Sequence, residues 1–161
     1  MAPQQDNGGT GVQAVAFTVF ARLGHAARST CHLQPPGGLV LSGGHGHVLG
    51  AYRWMQQQLV HGSGLPGGDV VVLTASSGDT YAATLLAAAP FNSVQTLCVP
   101  QDATLKQLAV AAELVARADA VFFSGGQQSR YTAWQGSALI AAVQAVYDRG
   151  GIVGGTSAGL A

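Results

Sequence analysis

Charge is scarce in this sequence. Lys, Arg, Asp and Glu together make up only 9% of its residues, and seven basic side chains balance seven acidic ones for a formal net charge of zero. A chain so poor in charge and 48% hydrophobic is not composed for disorder, which needs the reverse. No basic stripe forms anywhere, which excludes nucleic acid as a partner class. Cysteine is nearly absent too. Cys31 and Cys98 are too few and too far apart for a disulfide framework or a metal knuckle, and both are expected as buried small hydrophobes. No apolar run reaches the roughly eighteen residues that a membrane span requires.

Glycine, by contrast, is abundant, with 23 residues set among apolar runs. That mixture fits buried strands joined by tight turns, in an α/β protein whose sheet is covered on both faces. With 161 residues, the chain has room for one domain with a core of useful size.

From Gly37 onward the pattern is regular. Gly38 to Ser42 reads as a strand entering a turn at Gly43-Gly44. Val48 to Val60 carries Leu49, Tyr52, Met55 and Leu59 at helical spacing, and His61 to Gly68 reads as a loop. Asp69 to Ala75 is β-branched and nearly continuous, the mark of a strand buried on both faces. Thr80 to Ala89 is helical until Pro90 stops it, and Val94 to Val99 is a third strand. Asp102 or Thr104 caps a helix running to about Arg117. Asp119 to Ser124 is a fourth strand, Ser137 to Asp148 a further helix, and Ile152 to Gly154 a last short strand. Strands alternating with helices of this length predict βαβ crossovers and one doubly wound, mostly parallel sheet, incomplete after Ala161.

Residues 1–36 do not share the pattern. Val12 to Phe20 is apolar and Ala26-Ala27 resembles a cleavage site, yet only Asp6 carries charge before the apolar stretch, where a secretory signal wants positive charge. The stretch is expected to be a flexible or leader-like N-terminal extension, with residues 37–161 forming the domain.

The sharpest chemical signal is Gly155-Thr156-Ser157-Ala158-Gly159, placed directly after a strand. In a nucleophile elbow the chain turns so tightly that only glycine fits two residues either side of the serine, whose hydroxyl then stands at the carboxyl end of the sheet. A helix beginning at Ala158 would aim its positive dipole end at that hydroxyl. A glycine-rich strand-to-helix turn without chemistry is the bland alternative. A second signal, Phe122-Phe123-Ser124-Gly125-Gly126-Gln127-Gln128, also ends a strand, and its paired glycines leave a backbone amide able to face an incoming carbonyl oxygen. Alone, it would be an ordinary turn.

Ile152 to Ala161 resembles the nucleophile segment of the cyanophycinase-like serine peptidases. Phe122 to Arg130 resembles the family's second motif, a Phe-Thr-Gly-Gly-Asp-Gln run followed by Arg-Leu, and Thr74-Ala75-Ser76-Ser77 matches its strand-end pattern. The resemblance covers Gly37 to the end. It implies a flavodoxin-like fold related to class I glutamine amidotransferases, and hydrolysis of peptide bonds beside aspartate, notably the β-linked aspartyl-arginine units of cyanophycin. By position, it implies Ser157 as nucleophile, the backbone amides of Gly126 and Ala158 as oxyanion hole, and Gln128 and Arg130 as substrate contacts. No cofactor and no metal are implied. A cytoplasmic setting and a homodimer are compatible with it.

Three departures stand out. Gln127 replaces the family's aspartate, His45-Gly46-His47 replaces a Gly-Glu-Asp type of sequence, and Tyr131 replaces leucine. The family's triad acid and histidine follow the nucleophile motif, and beyond Gly159 this chain has only Leu160 and Ala161. All five histidines, His25, His32, His45, His47 and His61, precede Ser157. The chain alone is therefore expected to be nearly inactive, because loss of the base can cost on the order of a millionfold.

Other readings remain. An α/β-hydrolase esterase also uses Gly-x-Ser-x-Gly, although the element lengths before the elbow suit the shorter flavodoxin-like arrangement. A binding module that has kept the pocket and lost the triad would explain the changes at Gln127 and His45 to His47. His45 and His47 are expected as a solvent-lined turn, with substrate contact or a shared metal as lesser readings. A nucleotide-binding domain is weakest. Gly44 to Gly50 misses the Gly-x-Gly-x-x-Gly spacing by one residue, and no Walker lysine occurs.

Overall fold

The computed structural model describes residues 18–24, 37–44, 46–63, 67–76, 78 and 81–160. Five parallel strands, β2 (Gly38–Ser42), β3 (Asp69–Thr74), β4 (Ser93–Cys98), β5 (Ala120–Phe123) and β6 (Ile152–Thr156), form the body of a sheet. β1 (Thr18–Gly24) adds an antiparallel edge against β4, giving the order β1-β4-β3-β5-β6-β2. The expected α/β doubly wound, flavodoxin-like sheet is present. The run β4-β3-β5-β6 keeps the neighbours of the flavodoxin order, and β2 takes the outer place beside β6.

Burial explains why these segments are strands. All six residues of β3 are buried, as expected of a central strand covered on both faces. Side chains then alternate between two cores. Val70 and Val72 join Tyr52, Met55 and Leu59 of α1 (Leu49–Ser63) and Leu85 of α2 (Ala82–Ala88) on one face. Val71 and Leu73 join Leu108 and Val115 of α3 (Leu105–Val115) and Leu139 and Val143 of α5 (Ala138–Asp148) on the other. α3 begins where Thr104 and Gln107 form a reciprocal capping box, so Thr104 rather than Asp102 is the cap. Ser137 caps α5.

Four departures from the sequence reading have local causes. Residues 18–24, inside the stretch read as an extension, pair with β4 from Thr18↔Cys98 to Gly24↔Ser93; the remainder of residues 1–36, with Cys31, His25 and His32, lies outside the described residues. α1 runs on to Ser63, into the segment expected as a loop. A short helix, α4 (Gln128–Thr132), follows the second motif, held at its end by buried Trp134, whose Nε1 donates to the Pro100 carbonyl at 3.3 Å. Beyond β6 the chain makes a 3-10 turn over Ser157–Gly159 where an α-helix was expected. Among the described residues no helix is long and apolar enough to cross a membrane.

Candidate active site

The connections from β3 and β5 leave in opposite senses: β3 leads through α2 to β4 on one side, and β5 leads through α4 and α5 to β6 on the other. Ligands in open α/β sheets bind outside the carboxyl ends of strands at such a point. Four of those ends meet here.

Ser157 follows β6 directly and is exposed. Its φ of 53° makes it the one non-glycine residue in the left-handed region among the described residues. Such a conformation costs an L-residue about 1–3 kcal/mol and tends to persist only where the surroundings impose it, often at functional sites. The surroundings here are backbone. A Cβ on Gly155 would collide with the Gly159 carbonyl oxygen, and one on Gly159 would collide with the Ser124 carbonyl oxygen and stand 2.7 Å from that of Phe123. Both glycines of the Gly-x-Ser-x-Gly pattern are therefore required by close approach. Ala158, between them, is buried.

Two further strand ends flank the serine. A Cβ placed on Gly44, beyond β2, would lie 3.5 Å from Ser157 Oγ, and one on Gly125, beyond β5, would lie 3.3 Å from Ser157 Cβ. The Thr156 hydroxyl donates to the Gly43 carbonyl at 3.3 Å and ties the ends of β6 and β2 together. The Ser157 hydroxyl thus stands in a gap walled by glycines, where an incoming group meets backbone.

Gly126 is exposed with φ 145°, a conformation that suits glycine. Its Cβ position lies 3.3 Å from Ser76 Oγ, so the loops after β3 and β5 touch. The β3 loop is itself well tied. The Ser76 amide donates to Thr74 Oγ1 at 3.2 Å, Cys98 Sγ donates to the Ser76 carbonyl at 3.2 Å, and Arg130 donates to the Ala75 carbonyl at 3.2 Å. Arg130, read as a substrate contact, thus has a structural partner. Gln128, the first residue of α4, is exposed. Burial pushes the Cys98 thiol above its ordinary pKa, against the opposing pull of the Arg130 charge. Cys98 is half-buried rather than a fully buried small hydrophobe.

On the face of α1 and α2 an aromatic stack rises from the sheet. Phe122 meets Tyr52 edge-on at 5.6 Å and Tyr81 at 5.7 Å, and His47 caps them, 4.9 Å from the Tyr81 ring. His47 Nδ1 lies 3.0 Å from the Tyr52 hydroxyl. Burial, helped by Tyr81, pushes the Tyr52 phenol up to about 12. The expected solvent-lined turn is exposed at His47 but seated on aromatic rings; His45 lies outside the described residues. Among the described residues no three His, Cys, Asp or Glu side chains come together as a metal site would require.

Sequence reading missed Tyr131. Its hydroxyl reaches the Ser124 carbonyl at 2.8 Å and the Gly125 carbonyl at 3.1 Å, behind the turn that carries Gly126. The residue was visible as a departure from the family motif, but carbonyl partners leave no mark on a sequence.

No family model matches the chain, and no curated protein matches it. Among solved structures, it is similar to a peptidase from an acI-B1 Actinobacterium, at 15% identity and a TM-score of 0.55. The likeness covers 76% of this chain and 55% of the other, so the chain spans about half the length of that peptidase, and at this identity the fold is what the two share.

Proposed function

We infer that this chain carries the nucleophile of a serine peptidase, with Ser157 forming an acyl-enzyme. The observation that carries the reading is the left-handed φ of Ser157, held by glycines that tolerate no Cβ, with the side chain exposed at the carboxyl edge of the sheet. A glycine-rich turn without chemistry would place glycine, not serine, at the strained position.

The chemistry runs as follows. Ser157 Oγ attacks a peptide carbonyl carbon, and its proton passes to a base. The carbonyl oxygen becomes an oxyanion facing the amides of Gly126 and Ala158. The C–N bond then breaks, the amine leaves with a proton, and water hydrolyses the ester. Gln128, exposed at the start of α4, and Arg130 are assigned to substrate binding. The proposed substrates are aspartyl or β-aspartyl peptides, in a cytoplasmic setting, with the triad acid and histidine supplied from outside these 161 residues. The cyanophycinase-like motifs and the likeness to a solved peptidase support this reading over the esterase and the binding module.

Competitive labelling of the serines with a fluorophosphonate, read by peptide mass spectrometry, tests the nucleophile through the residual contribution that remains when the base is missing. An elbow and oxyanion hole retain about a thousandfold of catalysis when a triad member is missing. Ser157 should therefore label at least a hundredfold faster than exposed Ser129, and Ser157→Ala should remove that adduct. Equal labelling of the two serines would sink the reading.

A further inference from the structure

We propose that Tyr131 is a positioning residue that fixes the direction of the Gly126 amide; the inference rests on the reading of Ser157 as nucleophile and extends it to a residue at which the chain departs from the family motif. The Gly125–Gly126 peptide is one rigid plane, and in the trans form its N–H points away from its C=O. Whatever holds the Gly125 carbonyl oxygen therefore aims the Gly126 N–H. Two hydroxyls hold it. Ser124 Oγ donates to the Gly125 carbonyl at 3.2 Å, while Tyr131 Oη lies 3.1 Å from the same oxygen, 2.8 Å from the Ser124 carbonyl and 3.0 Å from Ser124 Oγ.

Each hydroxyl has one proton to give. The set closes when Tyr131 shares its one proton between the Ser124 and Gly125 carbonyls, a three-centre bond, and Ser124 donates to the Gly125 carbonyl. The clamp is also anchored. Ser124 is buried, and the Tyr131 ring packs edge-on against Phe123 at 6.2 Å and Trp134 at 5.1 Å.

A restraint is needed at this point. Gly126 has φ 145°, between a second glycine and exposed Gln127, so the local chain offers little resistance to rotation of the peptide. Rotation would turn the carbonyl, not the amide, toward an oxyanion, replacing attraction by repulsion. The same turn forms a wall of the nucleophile's gap, with the Gly125 Cβ position 3.3 Å from Ser157 Cβ. The leucine that the family motif carries at this position has no hydroxyl to supply the clamp.

Tyr131→Phe deletes the hydroxyl and keeps the ring packing, so the fold should survive, checked by far-ultraviolet circular dichroism. Two measurements on the 161-residue chain then apply. The ratio of Ser157 to Ser129 labelling by a fluorophosphonate should fall about tenfold, less than loss of a whole oxyanion donor, because Ser124 still holds the carbonyl. The Gly126 amide resonance, in nitrogen-15 spectra, should broaden or double in the variant. Ser124→Ala should act in the same direction. If Ser157 labels faster than Ser129 in both wild type and Tyr131→Phe, with an unchanged ratio and one sharp Gly126 resonance, the positioning role is overturned and the nucleophile stands. If the two serines label equally in wild type, the nucleophile reading fails and the role of Tyr131 falls with it.

Discussion

The two edges of the sheet are built from the same strands in opposite ways. At the amino edge, where β3, β4, β5 and β6 begin, polar groups are buried and satisfied. Asp119 Oδ2 accepts from the Asp69 amide at 2.9 Å, and Ser93 Oγ donates to Asp69 Oδ1 at 2.7 Å. Arg149 donates to the Ala118 carbonyl; burial lowers its pKa and the Asp119 charge opposes that shift. At the carboxyl edge, glycines press against backbone, a serine is strained and exposed, and hydroxyls serve to hold carbonyls rather than to pair carboxylates. The amino edge stabilises the fold through completed hydrogen bonds. The carboxyl edge leaves polar groups facing solvent, where a substrate can meet them.

Crowded glycines occur at both edges, and that is where the contrast can be broken most sharply. Gly159→Ala would drive a methyl group into the carbonyls of Ser124 and Phe123. Gly151→Ala would drive one into the carbonyls of Val146, 2.6 Å away, and Asp119, 2.7 Å away. Each should cost about 3 kcal/mol in denaturant unfolding, the upper end for overpacking. Labelling of the folded variants separates them. Gly159→Ala should bring the Ser157 to Ser129 ratio close to one, whereas Gly151→Ala should leave it at the wild-type value. A ratio that falls equally in both would mean the edges are not independent.

Asp119→Ala is a milder probe of the amino edge. It removes the carboxylate that accepts from the Asp69 amide, a buried hydrogen bond to a charged group worth about 1.5–3 kcal/mol. The expected result is a lower denaturation midpoint with an unchanged labelling ratio. A changed ratio would show that the carboxylates at one edge reach the chemistry at the other.

The carboxyl edge was the more legible in sequence. Gly155, Ser157 and Gly159 carry a spacing whose steric reason is local, and the structure places each glycine where a side chain would collide. β3 and α3 were equally plain, the first from its unbroken β-branched run and the second from the capping candidates Asp102 and Thr104 ahead of an apolar face. What stayed hidden depends on partners distant in sequence. β1 is a strand because β4, some seventy-five residues on, offers it an edge. α4 has five residues, too few to display a period. Tyr131 is bound to carbonyls, which every residue possesses. The network of Asp69, Ser93 and Asp119 is likewise invisible, since Asp69 and Asp119 each read as the start of a strand and Ser93 as the residue before one.

The smallest expected effect is also the one of opposite sign. Ser157→Gly removes the side chain that makes φ 53° unfavourable and should release about 1–3 kcal/mol of strain. Glycine also loosens the unfolded chain, which takes back roughly 0.4–1 kcal/mol. The balance is a stabilisation of about 1 kcal/mol, read as a raised denaturation midpoint with an unchanged slope. The hydroxyl that the probe modifies is gone, so the adduct disappears as stability rises. No substitution at the amino edge should show that pairing, because the bonds there hold the fold and no strain waits to be released. A Ser157→Gly variant no more stable than wild type would mean that the serine is held without strain, and the observation that carries the nucleophile reading would lose its force.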